Sequence, residues 1–97
     1  MSSDDWAAVV IHPDDDVAVA LRPLDAGSVR VRRDSGVFVA ALNEAVPLGH
    51  KFALRDIKAG AHVRKYGDSI GIAAADIRAG AHVHVHNLRS NRARRME

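Results

Sequence analysis

Three histidines alternate with valines in Ala81-His82-Val83-His84-Val85-His86-Asn87. On a β-strand successive side chains point to opposite faces, so this spacing puts His82, His84 and His86 on one face. Imidazoles two positions apart on a strand stand roughly 6–7 Å from each other, which lets both reach one metal ion. Imidazole suits Zn, Fe, Mn or Ni, with further ligands from elsewhere. The alternative is a water-facing strand whose histidines bind nothing. Two other segments hold more polar chemistry than a core requires. Gly49-His50-Lys51-Phe52-Ala53 sets an imidazole beside an ammonium, and Arg64-Lys65-Tyr66-Gly67 sets a cation beside a phenol. A lysine can hold a substrate carboxylate, or act as a base once desolvation lowers its pKa. On spacing alone, each of these segments equally reads as a solvated strand end. Asp14-Asp15-Asp16 reads as a turn, because three adjacent acids on a strand cannot all face one ion. The sequence contains no P-loop, no glycine-rich dinucleotide fingerprint and no Gly-x-Ser-x-Gly elbow, so a nucleotide cofactor has no support.

The elements that must position these residues are short and mostly strands. Val9–Ile11, Val17–Leu21, Val29–Val31, Val37–Leu42, Ile70–Ile72 and Val83–Val85 carry an apolar period of two or a continuous apolar run. Turn signals built on glycine, proline and aspartate separate them about every ten residues. The pattern predicts a mainly β domain with one or two short helical turns. The candidates for those turns are the alanine-bearing stretch Val39–Val46 and the residues just before Gly60 and Gly80. One motif recurs. Residues 53–63 read Ala-Leu-Arg-Asp-Ile-Lys-Ala-Gly-Ala-His-Val, and residues 73–83 repeat it as Ala-Ala-Ala-Asp-Ile-Arg-Ala-Gly-Ala-His-Val. A looser copy, Ala-Leu-Arg-Pro-Leu-Asp-Ala-Gly-Ser-Val, occupies 20–29. Each copy predicts a corner: an apolar anchor (Leu24, Ile57 or Ile77) packs inward, a glycine takes the tight turn, and a strand leaves. Because His82 and Val83 fall inside this repeat, the histidine run is not an expression tag.

A chain of 97 residues suits one small domain that buries roughly 60–65% of its unfolded surface, so a partner surface is expected. With no cysteine, a disulfide scaffold, a thiolate zinc site and a cysteine nucleophile are all excluded. The net charge of +2 is mostly a tail effect. Residues 89–97 hold Arg89, Arg92, Arg94 and Arg95 against Glu97, leaving a body with 10 basic and 11 acidic groups. A short arginine tail without interleaved stacking aromatics does not read as a nucleic-acid surface. No apolar run approaches the roughly 18–20 residues of a membrane span, and the acidic N-terminus lacks the basic start of a signal peptide. A soluble cytoplasmic protein without membrane or nucleic-acid partners is expected. Its organisation is read as an extension over 1–8, a domain over 9–88 and a tail over 89–97.

The order of the motifs resembles a known family. His12-Pro13-x-Asp15-x-Val17-Ala18-Val19-Ala20-Leu21, then Gly49-His50-Lys51-Phe52-Ala53-Leu54, then Lys65-Tyr66-Gly67 and Ile70-Gly71, then Gly80-x-His82-Val83-His84-x-His86-Asn87 is similar to the SAF-type domain of altronate and galactarate dehydratases. In that family the domain is either the N-terminal part of a long enzyme or a separate small subunit, as in the alpha subunit of sulfolactate sulfo-lyase. The resemblance implies a β-clip fold and lyase chemistry on a sugar acid. It further implies a divalent metal, Fe2+ or Mn2+ with Zn2+ as an option, and a larger catalytic subunit as partner; a homo-oligomer is also compatible.

By this resemblance His50, Lys51, Lys65 and Tyr66 are the catalytic candidates, His84 and His86 the metal ligands, and Asp15 and Asn87 the substrate contacts. Lys51 and Lys65 would hold carboxylate charge while His50 and Tyr66 relay protons. Asp16 departs from the family, which usually has asparagine there. His82 falls where the family alternates between histidine and bulky residues, so it stands outside the principal set. The competing class is a non-catalytic binding or assembly module, since SAF-type β-clips also serve such roles.

Overall fold

The computed structural model describes residues 6–34, 36–65 and 67–90. Among them lie nine strands: β1 (Ala8–Val10), β2 (Val17–Ala20), β3 (Gly27–Arg33), β4 (Gly36–Leu42), β5 (Lys51–Ala53), β6 (His62–Lys65), β7 (Asp68–Ala73), β8 (His82–Val83) and β9 (Leu88–Ser90). Six form a sheet in the order β4-β3-β1-β2-β5-β8, and three form a second sheet in the order β6-β7-β9. Only β1 and β3 run parallel; every other pair is antiparallel.

The shortage of aromatics is explained by where the core sits. Strands β2 and β5 are buried on both faces, because the two faces of each strand meet two different apolar clusters. Ala18, Ala20 and Phe52 belong to a cluster with Val31, Leu42 and Val46. Val17, Ala53 and Val83 belong to one with Ile57, Val63, Ala73 and Ile77. The register that pairs Val17 with Ala53 and Ala18 with Phe52 sends alternate residues to alternate cores. Two thin cores sharing one pair of strands need small and β-branched residues, with Phe52 the one large aromatic fully buried among the described residues.

The corner motif is realised four times. Leu24 and Val46 bridge each other through paired backbone hydrogen bonds of 2.9 Å, and Ile57 and Ile77 do the same at 2.7 Å. In each, the glycine three residues after the anchor has positive φ: Gly27 at 128°, Gly49 at 81°, Gly60 at 87° and Gly80 at 88°. The fourth copy, Val46-Pro47-Leu48-Gly49, is hidden in the sequence because only its anchor and glycine match the others. Its presence explains the uneven spacing of the three legible copies, since the corners work as two facing pairs. Asp56 and Asp76 seal the second pair by accepting from Ala79 N and Ala59 N, each at 2.9 Å.

No helix occurs among the described residues. Of the stretch Val39–Val46, residues Val39–Leu42 instead belong to strand β4, paired residue for residue with β3, and the bridged corner follows at Val46. The segments before Gly60 and Gly80 are four-residue turns closed by Ala61 N to Lys58 O and Ala81 N to Arg78 O, both 3.0 Å. Glycine with φ near +80° at the third position is what a type II turn requires.

Gly80 has a second task. Its N donates to Ala53 O at 2.8 Å and its O accepts from Asn43 N at 3.0 Å, so it joins the β5 side of the large sheet to the end of β4. A Cβ here would overlap the Ala41 carbonyl oxygen and crowd the Asn43 side chain, whereas one at Gly60 meets nothing within 4 Å. Both positions carry left-handed strain for any other residue, about 1–3 kcal/mol. Gly60→Ala is therefore expected to lower stability by about that amount. Gly80→Ala is expected to lose clearly more, because backbone must also move. Urea denaturation of the two variants checks the order, and equal losses would show that the close approach at Gly80 is unimportant.

Candidate functional site

The histidine site is built by the pairing of β5 with β8. The register sets Lys51 opposite Val83 and Phe52 opposite His82. His50 precedes β5 in the corner turn closed by its own N–H to Pro47 O at 3.0 Å, and its carbonyl accepts from Ala20 N at 2.9 Å. The edge of β8 is held from the other side, where His82 N donates to the Glu44 carboxylate at 3.1 Å. Glu44 thus completes a ladder bond that a seventh strand would otherwise supply.

The alternating strand expected over 82–86 stops at Val83. The chain then turns, with Asn87 N and Leu88 N donating to His84 O at 3.1 and 2.9 Å. The Asn87 side chain accepts from His84 N at 3.0 Å and donates to His82 O at 2.9 Å. Val85 is 82% exposed on this turn rather than in the core. The reason is local: a side chain with one acceptor and one donor within reach of both strand ends stabilises a turn over a continuing strand.

The turn changes which histidines meet. The ligand nitrogens of His50, His82 and His84 all lie within 4.8 Å of one another. His50 Nδ1 is 2.8 Å from His82 Nε2, and the rings of His50 and His84 stack with centroids 4.2 Å apart. His86 is exposed and outside this trio, its ring tilted 5.4 Å from that of His82. Of the two expected ligands, His84 is therefore in the cluster and His86 beside it. His82, set apart in the sequence reading, is a full member, and its signal was its place in the His-x-His-x-His run. Glu44 had no signal, since it belongs to no motif.

The electrostatics suit a ligand set. Partial burial, then the neighbouring His50, His86 and His84, lower the His82 pKa, with Glu44 opposing. The His84 pKa is lowered by desolvation, then by His50, Lys51 and His86. Lys51 is lowered by burial and then by the charge of Lys65, which places the two expected carboxylate-binding lysines within electrostatic reach of each other. Neutral imidazoles are the form that binds metal. Three imidazole nitrogens within 4.8 Å of one another are the donor number of a catalytic rather than a closed four-ligand structural site.

The acidic segment has a different geometry. Asp15 is buried, and its oxygens accept from His12 N at 3.1 Å and Gly67 N at 2.9 Å. Asp16 accepts from Arg64 N at 2.9 Å and from the Arg55 guanidinium, whose Nε lies at 2.7 Å. Together they clamp both sides of Lys65. Asp15 and Asn87, expected at the substrate, are thus engaged with backbone: one holds the β6–β7 connection and the other the turn after β8. Tyr66 lies outside the described residues.

A family model for the altronate/galactarate dehydratase SAF domain matches residues 6–91. The chain belongs to this family. As in the family, the SAF domain here is a β-clip, and the mainly β expectation holds. Altronate dehydratase of Escherichia coli (strain K12) is 52% identical over 83 residues, 86% of this chain and 16% of that one. Altronate dehydratase of Bacillus subtilis (strain 168) is 37% identical over the same shares. The (2R)-sulfolactate sulfo-lyase subunit alpha of Chromohalobacter salexigens is 35% identical over 88 residues, 86% of this chain and 94% of that subunit. The SAF chain therefore spans about a sixth of the altronate dehydratases and nearly all of the sulfo-lyase subunit. No helix among its described residues is long and apolar enough to cross a membrane.

The lowered imidazole values carry a sign. In the metal-free protein the folded pKa of His82 and His84 lies below the ordinary 6.5, so below that pH the unfolded chain binds more protons than the folded one. Stability is therefore full above about pH 6.5 and declines as pH falls through it. Thermal melts of metal-free protein are expected to be level between about pH 7 and 8 and to drop on acidification. In His82→Gln/His84→Gln the drop shrinks; an unchanged pH profile would remove these two groups as its cause.

Proposed function

We propose that this chain contributes one wall of a lyase active site that it shares with a larger catalytic chain. The reaction is the metal-assisted dehydration of a sugar acid of the altronate or galactarate kind. The observation that carries the reading is the convergence of His50, His82 and His84 next to Lys51, in a chain 52% identical to an altronate dehydratase. A non-catalytic module has no use for three clustered imidazoles, two of which, His82 and His84, have their charged forms disfavoured by their surroundings.

The reaction class is β-elimination, in which the proton α to a carboxylate leaves and a hydroxyl departs as water. His50, His82 and His84 would hold a divalent ion, Fe2+, Mn2+ or Zn2+. Such an ion supplies Lewis-acid stabilisation of the negative charge that develops on substrate oxygens. Lys51 and Lys65 hold the substrate carboxylate by charge. Their mutual repulsion is relieved when an anion enters, which favours binding of an acid over a neutral sugar. Lys51 would exchange protons at the carboxylate pocket, with Tyr66 assigned to the same relay; His50 would join that relay only where His82 and His84 hold the ion without it. His86, on the rim, is placed to meet the leaving hydroxyl. Asp15 and Asp16 act through Lys65, by fixing the backbone on either side of it.

A second reading concerns the architecture. A match covering 94% of a sulfo-lyase alpha subunit shows that a domain of this size is a separate subunit in that relative. It also admits sulfolactate as substrate, with sulfite as the leaving group in the same elimination. In either case the base for the α-proton and the remaining ligands come from the larger chain.

The chain alone is expected to be folded and inactive, and turnover by it alone would refute the divided site. In the reconstituted complex, His82→Ala and His84→Ala are each expected to lower kcat by about 10²-fold or more and to reduce bound metal. Lys51→Met is expected to raise KM for the acid while leaving metal content intact. If both histidine variants keep full activity and metal while assembly fails, the chain is an assembly module.

A further inference from the structure

Leu48 and Val85 are large apolar side chains with 60% and 82% of their surface exposed. Neither is needed by the turn that carries it. The position of Leu48 in the corner motif is occupied in the other three corners by Ala26, Ala59 and Ala79, all exposed, and those corners close as well. The turn bearing Val85 is closed by backbone bonds to His84 O and by the Asn87 side chain, without the Val85 side chain. Both positions adjoin the histidine site. Leu48 stands two residues before His50, Val85 directly follows His84, and those two rings stack at 4.2 Å. Two exposed apolar side chains are therefore carried by the same turns that carry His50 and His84, whose rings meet.

Water-exposed Leu and Val beside an open ligand set are the composition of an interface: apolar anchors around a polar centre. The occupant follows from two further facts. The same domain makes up 16% of one set of relatives and 94% of another, so it occurs both joined to a larger body and apart from one. The face also sets the Lys51 ammonium on β5 beside the clustered imidazoles of His50, His82 and His84, with Glu44 taking the His82 backbone N–H. A complementary surface brings carboxylates.

Resting on the lyase reading above, we propose that the Leu48 and Val85 turns form the docking rim on which the lyase's catalytic body seats. That body takes both side chains into apolar pockets and directs acidic groups at the histidine trio and Lys51. The surface serves a fused and a separate catalytic body alike, because it is defined by two turns and not by a chain end.

The test uses a chimera in which this chain replaces the matched 83 residues of the Escherichia coli altronate dehydratase. Leu48→Asp, Val85→Asp and the double variant are made in the chimera and in the isolated chain. Val39→Asp, an exposed site on β4, serves as control. The double variant is expected to lose at least about tenfold in altronate dehydration, the control little. In the isolated double variant the melting temperature and Zn2+ affinity are expected to match the parent. Full activity of the double variant overturns the docking rim and leaves the lyase reading standing. A lower melting temperature or weaker Zn2+ binding in the isolated variant also overturns it, by assigning the two residues to the fold. A folded, metal-binding chimera without any dehydratase activity overturns both.

Discussion

The backbone of Gly80 is the point on which the histidine site depends. Its amide reaches the β5 side of the six-stranded sheet and its carbonyl takes Asn43 N from the end of β4. A sheet of this order would otherwise end in two distant edges. With this contact, β8 is held between β5 and the segment that follows β4, and Glu44 reaches His82 N. Only glycine permits both the left-handed turn and the approach of the Ala41 carbonyl. The placement of His82 is thus a consequence of closing the fold, and the histidine cluster inherits its rigidity from backbone bonds.

The same closure explains how so small a chain keeps a polar cluster of like-signed groups in place. The central strands β2 and β5 have apolar clusters on both faces, so the turns that emerge from them are anchored twice. Against that scaffold burial, and then the crowding of like-signed groups, disfavours the charged forms of His82, His84 and Lys51, which is what their lowered pKa values express. The neutral imidazole and the less firmly charged lysine are also the forms that bind metal and exchange protons. Crowding and function call for the same protonation states.

Much of the fold is legible from residues alone. Period-two apolar runs mark β1, β2, β3, β4 and β7 within a few residues, and the glycine corners locate the turns. Two expectations fail, each for its own reason. Val39–Val46 reads as helical because alanine favours helices, yet pairing with β3 outweighs a propensity of tenths of a kcal/mol per residue. Strand alternation through His86 fails because Asn87, a short side chain with a donor and an acceptor, closes a turn that the apolar period does not register. The fourth corner escapes notice since proline and leucine replace the residues that make the other copies recognisable.

For the site, the sequence by itself determined which chemistry is available: imidazoles and lysines in the order of a SAF domain, no thiol, no nucleotide motif. It also determined that Asp14–Asp16 is a turn, because adjacent carboxylates diverge on a strand. Which residues act together was decided by tertiary structure. The trio joins His50 to His82 and His84 across more than thirty residues of chain, and the Asp15–Asp16 clamp reaches Arg64 and Gly67 across 48 and 52. Spacing along a strand predicts neighbours only while the strand continues. Once the chain turns at His84, ring nitrogens are brought together by sheet pairing and corner closure, and neither is written in local period.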